Sequence, residues 1–215
     1  MNIGVLGTGM VGNAIATKLI QLGNNVKMGS RTSSNSKAPE WVKANGKNAS
    51  QGTFAEAAAF GEIIFNCTAG VASLEALALA GEKNLNGKIL IDIAVPLDFS
   101  KGMPPSLTVC NTDSLGEQIQ RAFPKVKVVK TLNTVNCNVM VNPSLVPGES
   151  DMFISGNDAD VKSQVIDILR NWFSWKSIID LGDITNARAQ EMWLPFWVRL
   201  WGIVQTPNFN IKVIK

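Results

Sequence analysis

The amino-acid sequence predicts a doubly wound α/β fold with a mainly parallel sheet, and three observations carry that prediction. Apolar runs of strand length recur at residues 3–6, 62–67, 88–93 and 126–131, nearly continuous, as in strands buried on both faces. Stretches of helical periodicity separate them, giving the βαβ rhythm of a parallel sheet. A glycine turn, Gly7-Thr8-Gly9-Met10-Val11-Gly12, stands directly between the first strand and the first helix. The chain is read as one domain over residues 1–215, in which 152–215 form a small strand–helix extension packed on the rest.

In order along the chain, Ile3, Val5 and Leu6 make the first strand, and the G-x-G-x-x-G turn follows at once. In a Rossmann-type unit Gly7 makes the tight turn, Gly9 lets backbone approach a pyrophosphate, and Gly12 seats the helix on the strand. The helix start adds free N–H groups and a positive dipole end. Val11, Ile15, Leu19 and Leu22 are expected on its inner face, with Gly23 as the stop. A second strand over 25–28 ends in Gly29-Ser30-Arg31-Thr32, where an NAD site would carry an acid for the ribose hydroxyl. No acid stands there. Ser30 and Arg31 can instead bind a 2′-phosphate, so NADP(H) is the expected dinucleotide. Lys37 either adds a third cationic contact or is a solvated loop lysine.

Residues 32–47 are polar and carry Trp41 on a short helix, and 47–50 read as a brief third strand. A helix over 54–60 leads to the buried strand 62–67, whose end, Thr68-Ala69-Gly70, faces the cofactor with small residues. Cys67 reads as core. A helix over 74–80 stops at Gly81, and in the strand 88–93 Asp92 is expected to cap the open end. Residues 94–105 form a proline-rich loop on the ligand side. Leu115, Ile119 and Ala122 mark a helix before the sixth strand, 126–131, which ends in Lys130-Thr131-Leu132-Asn133-Thr134. Residues 138–150 read as a loop and 152–155 as a strand. The next helix presents Val161, Val165, Ile168, Leu169 and Trp172 inward, with Trp172 and Trp175 as core. After a last strand, 177–181, a terminal helix carries Trp193, Trp197 and Trp201 as one stripe, read as partly core and partly homodimer contact. Pro195 should kink or interrupt it.

Composition excludes several classes. Of 215 residues 46% are hydrophobic and 17% charged, and the formal charge is +3 without a basic run, which does not suggest nucleic acid. Three widely spaced cysteines suit reduced cytosolic thiols and give no metal motif. A strand beginning at residue 2 or 3 leaves no room for a signal peptide, and the apolar stretch 192–204 is too short to span a bilayer. A cytoplasmic protein without membrane contact is the expectation. The chain has neither histidine nor tyrosine, so a dehydrogenase relying on either as proton donor is excluded. Hydride transfer to a small-molecule acceptor that delocalises charge in its own rings, a flavin or deazaflavin, needs no such group.

With the glycine turn, the Ser30-Arg31 corner, the segment 130–134 and Gly182-Asp183-Ile184-Thr185-Asn186-Ala187-Arg188 in view, the chain resembles the NADPH-dependent reductases of the deazaflavin coenzyme F420. It also resembles the oxidoreductase domain of the STEAP ferric reductases, whose late E-x-M-P helix reads Glu191-Met192-Trp193-Leu194-Pro195 here. The resemblance implies Thr8, Gly9, Met10 and Val11 around the pyrophosphate, and Ser30, Arg31 and Lys37 around the 2′-phosphate. It implies Thr68 and Ala69 beside the nicotinamide ribose, and Ala94, Val95 and Asn133 near the ring. The deazaflavin reductases often carry a histidine where Asn133 stands. An imine reductase of pyrroline type and an NADPH-binding sensor without turnover are the competing expectations.

Overall fold

The structure is a computed structural model that describes residues 1–33, 35 and 37–214. Its sheet has eight strands in the order β10-β9-β8-β5-β4-β1-β2-β3. The first half runs β1 (Asn2–Leu6), α1 (Met10–Gln21), β2 (Asn25–Ser30), α2 (Lys37–Asn45), β3 (Ala49–Thr53), α3 (Phe54–Phe60) and β4 (Ile63–Asn66). Then come α4 (Ser73–Ala80), α5 (Glu82–Leu85), β5 (Ile89–Asp92) and a small antiparallel hairpin of β6 (Leu97–Asp98) and β7 (Ser106–Leu107). The remainder is α6 (Leu115–Ala122), β8 (Lys127–Thr131), α7 (Cys137–Val141), β9 (Asp151–Gly156), α8 (Ala159–Asn171), β10 (Ser177–Asp180) and α9 (Ala187–Val204).

The continuous apolar runs follow from burial on both faces. In β4, Ile63 and Phe65 join the core under α1, α7 and α8, while Ile64 joins the core under α3, α4 and α6. In β5, Ile89 and Ile91 face the first core and Leu90 the second. Thr53 starts α3 with a capping box, its hydroxyl accepting from Glu56 N while the Glu56 carboxylate accepts from Thr53 N at 2.7 Å. The strand order reverses between β1 and β4, so the crevice beyond their carboxyl ends is where an α/β sheet takes a ligand. Gly7 closes that end of β1 with φ of +115°, and a Cβ there would stand 2.5 Å from the Cys67 carbonyl.

Several expectations need correction. Leu22 lies beyond α1 and is exposed, and Gly12 and Ala16 join Ile15 and Leu19 on the buried face. The third strand begins two residues later than expected, because residues 46–48 form a 3-10 turn. The segment 138–150 is not all loop: α7 occupies its start, capped by the Asn136 side chain, and a 3-10 turn follows at Pro143–Leu145. β9 runs antiparallel to β8, so the sheet is parallel everywhere except at that one pairing.

α9 continues through Pro195 as one helix, anchored before the proline by buried Gln190 and Glu191 and after it by Trp197. The aromatic stripe divides: Trp197 is 6% exposed and stacks on Phe209 at 5.0 Å between ring centroids, whereas Trp201 is 41% exposed. Trp175 is core, its Nε1 donating to the Met140 carbonyl at 3.0 Å, and Trp172 packs against the same core from the end of α8. Among the described residues no helix is long and apolar enough to cross a membrane.

Candidate functional site

The glycine turn is shaped by three different requirements. A Cβ on Gly12 would lie 2.1 Å from the Gly7 carbonyl, so only glycine lets α1 sit on β1. Gly7 needs its positive φ. Gly9 needs neither, since its backbone is extended and a Cβ would meet no atom of the described residues beyond its chain neighbours within 4 Å. Its open side is the space in front of α1, where no side chain among the described residues caps the helix and no acid stands in the first turn. A glycine kept bare there, beside free N–H groups, fits a phosphate that approaches the backbone.

Beside this turn Thr8, Gly9, Met10 and Lys37 line the mouth of an open cleft of about 1280 Å³ that continues along the outer face of α1 to Trp41 and α7. Met10 is 81% exposed there. Val11 is half-buried and packs on the core. At the end of β2, Ser30 is buried and its hydroxyl donates to the Thr32 carbonyl at 2.7 Å. The Arg31 guanidinium projects outward and meets Glu75 of α4 at 3.5 Å, with both side chains more than 60% exposed. Such a surface pair contributes roughly 0–1 kcal/mol, so Arg31 can be redirected to a phosphate at little cost. Lys37 is exposed at the first position of α2, where its backbone N–H donates to Asn35 Oδ1 at 2.9 Å. Asn35 Nδ2 reaches Thr8 Oγ1 at 3.2 Å and so ties this loop to the glycine turn.

At the other end of the crevice, the Thr68 hydroxyl is 2.7 Å from both Asn66 Oδ1 and Ser73 Oγ, and Ala69 is exposed beside it. Gly70 is required to be glycine, because a Cβ would stand 2.1 Å from the Val95 carbonyl where the loops after β4 and β5 cross. Ala94 and Val95 are buried at that crossing. Asn133 is buried too, reached through Leu132, which holds an unusual left-handed φ of +64°. Asn133 Nδ2 donates to the Gln190 carbonyl at 2.9 Å, which fixes the amide orientation and leaves buried Oδ1 without a hydrogen-bond partner among the described residues. A free acceptor at that depth fits a ligand N–H.

Sequence reasoning missed the charge cluster behind this end. Asp92 ends β5 and its Oδ1 accepts from Ala94 N at 3.3 Å, but it is also fully buried and pairs with Lys130 at 2.9 Å, and Lys130 also meets Glu191 of α9 at 2.8 Å. Glu191 in turn accepts from Leu115 N at 2.8 Å and Gly116 N at 3.0 Å, the free N–H groups at the start of α6. Burial alone would push the Lys130 ammonium down, but the charges of Asp92 and Glu191 outweigh it and hold the group above the ordinary lysine range. The signal was a charge among the apolar residues of each element: Asp92 in β5, Lys130 in β8 and Glu191 in α9. Burial pushes the Cys67 thiol up, so it is an inert core group. Among the described residues no group of three or more His, Cys, Asp or Glu could hold a metal ion.

The sheet order, the glycine turn and the crevice define a Rossmann-type dinucleotide-binding protein. The family described as NADP oxidoreductase, coenzyme F420-dependent, matches residues 2–96. A crystal structure from Arthrobacter sp. FB24, of a candidate F420-dependent NADP-reductase, is 49% identical, covers 100% of both chains and superposes with a TM-score of 0.95. The chain therefore belongs to this family, whose members are NADP-dependent oxidoreductases.

The F420-dependent NADP reductase of Methanocaldococcus jannaschii is 31% identical over 120 residues, 55% of this chain and 53% of that enzyme. The metalloreductase STEAP3 of Rattus norvegicus is 26% identical over 201 residues, 91% of this chain but 37% of that protein. The matched segments thus span about half or less of these two relatives. An imine reductase of Streptomyces aurantiacus shares the fold alone, at 17% identity and a TM-score of 0.65 over 95% of this chain and 63% of that one.

Proposed function

We propose that this protein transfers a hydride between NADP(H) and coenzyme F420. The observation that carries the dinucleotide part is Gly9, which nothing among the described residues requires to be glycine and which leaves a bare approach to the start of α1. Family membership and the missing histidine and tyrosine support the deazaflavin as acceptor. When bound, the dinucleotide supplies the hydride and the deazaflavin spreads the charge over its own ring system.

The chain's own part is binding and alignment. Thr8, Gly9, Met10 and Val11 hold the pyrophosphate with backbone N–H groups at the positive end of α1. Ser30, Arg31 and Lys37 hold the 2′-phosphate, Arg31 by turning from Glu75. Thr68 and Ala69 stand at the nicotinamide ribose, and Ala94, Val95 and Asn133 at the ring. Asn133 Oδ1 accepts a hydrogen bond from a ligand N–H but carries no proton to give, so it orients and does not act as an acid.

The test is NADPH consumption with coenzyme F420 offered beside FMN and FAD with a ferric acceptor. Turnover with the deazaflavin alone is expected, and turnover with free flavin alone would contradict the acceptor. Arg31→Ala should weaken NADPH about 10- to 100-fold, the worth of roughly 1.4–2.7 kcal/mol of charge-assisted hydrogen bonding, and leave NADH nearly unchanged. Equal losses for both dinucleotides would remove the 2′-phosphate assignment.

A further inference from the structure

The buried charge cluster ends on the peptide groups that floor the ring end of the site. Lys130 has three donors: two reach Asp92 Oδ2 at 2.9 Å and Glu191 Oε1 at 2.8 Å, and the third meets the carbonyl of Ala94. Asp92 Oδ1 accepts from Ala94 N at 3.3 Å and from Asn66 Nδ2 at 2.8 Å. Both the N–H and the carbonyl of Ala94 thus end on one ion pair.

The neighbouring residue of α9 serves the other ring contact. Gln190 takes Asn133 Nδ2 on its carbonyl at 2.9 Å, and its side chain donates to the Lys130 carbonyl at 3.3 Å. Two consecutive residues of α9 and one lysine of β8 therefore frame Ala94 and Asn133 together. Stability alone does not explain such a cluster, because apolar side chains of similar volume generally serve a buried site as well as an ion pair.

We propose that Lys130 is a positioning residue for the hydride transfer: with Asp92 it holds the Ala94 peptide, and with it the floor under the nicotinamide, at a fixed distance from the acceptor. This rests on the dinucleotide reading above. Transfer demands reacting atoms roughly 3–3.5 Å apart, and a displacement of about 1 Å costs on the order of 100-fold.

The test is the double variant Asp92→Asn/Lys130→Met, which removes one charge of each sign and leaves Glu191 on its two α6 N–H groups. Adenosine 2′,5′-bisphosphate, which probes the distant half of the site, should bind as to wild type. Turnover of NADPH with coenzyme F420, or with the flavin that replaces it, should fall about 10- to 100-fold in kcat, while KM for NADPH changes less than about threefold. A parallel loss of bisphosphate affinity, or an unchanged kcat, overturns the proposal.

If the double variant does not fold, Lys130→Arg carries the test. It keeps the positive charge, but a planar fork cannot meet both carboxylates and the Ala94 carbonyl as an ammonium does. The same split, at about threefold or more in kcat, is expected, and wild-type turnover overturns the proposal. Wild-type protein that binds no NADPH would instead overturn the dinucleotide reading, and this inference with it. Wild-type turnover without the split removes this inference alone.

Discussion

Around the glycine turn the protein presents backbone and exposed side chains, whereas beyond the ends of β5 and β8 it buries an ammonium and two carboxylates. On the proposed function the first region meets phosphates with groups that need little rearrangement: N–H groups at a helix start and an arginine in a weak surface pair, with the Ser30 hydroxyl turning from the Thr32 carbonyl. Little has to be reorganised for binding. The second region has almost no freedom. Each donor of Lys130 is taken, each carboxylate is met by N–H donors, and the loops that cross at Gly70 and Val95 leave no space even for a methyl group. On the proposed function the first region is an anchor that tolerates small shifts and the second a floor for two reacting rings that does not.

The comparison can be broken from its rigid side first. Lys130→Met leaves Asp92 and Glu191 buried without their cation, and a loss of about 3–5 kcal/mol in urea unfolding is expected. The double variant with Asp92→Asn should recover part of that loss, and a single variant as stable as wild type would show that the cluster is not under electrostatic constraint.

Gly12→Ala is the next largest effect. Its methyl group would meet the Gly7 carbonyl, so α1 must shift, at about 1–3 kcal/mol by the usual cost of overpacking. Unfolding curves within about 0.5 kcal/mol of wild type would mean that the helix has room the structure does not show.

The smallest effect lies away from both regions, at the start of α6. The Arg121 guanidinium, donating to both oxygens of Asp113, holds that carboxyl down at about 2. A folded-state value below the unfolded one stabilises above the ordinary aspartate range near pH 4, and the gain is lost as pH falls toward 2. Arg121 is largely exposed, so screening limits the contribution to about 1 kcal/mol or less. Asp113→Asn should lower stability by that amount at pH 7 and flatten the acid limb between pH 4 and pH 2. A limb of unchanged slope would assign acid unfolding to other carboxylates.

The two regions also differ in how far the sequence reveals them. The glycine turn is a local signal: six consecutive residues between a strand and a helix, with Ser30 and Arg31 at the end of the strand that pairs with β1. The parallel strands were legible because burial on both faces leaves continuous apolar runs. The charge cluster was not, because Asp92, Lys130 and Glu191 come from β5, β8 and α9, and only the tertiary fold joins them.

Asp92 read as a strand-end polar residue for that reason. The single sign was a charge inside an otherwise apolar run, which tells that a partner exists without telling which. The antiparallel direction of β9 escaped for a similar reason, since strand direction depends on where a long connection returns. Asn133 was named in sequence, but its free Oδ1 depends on Gln190, a residue of a distant helix.

Gly9→Ala tests the account most directly, read as NADPH affinity beside a matched unfolding curve. A methyl group at that position meets nothing among the described residues beyond its chain neighbours, so unfolding should shift by no more than about 1 kcal/mol, the usual difference between glycine and alanine at a helix N-cap. NADPH should bind at least about tenfold more weakly, because the methyl group occupies the approach to the N–H groups of α1. Unchanged affinity in the folded variant would contradict the placement of the pyrophosphate, and with it the reading of this crevice as the dinucleotide site.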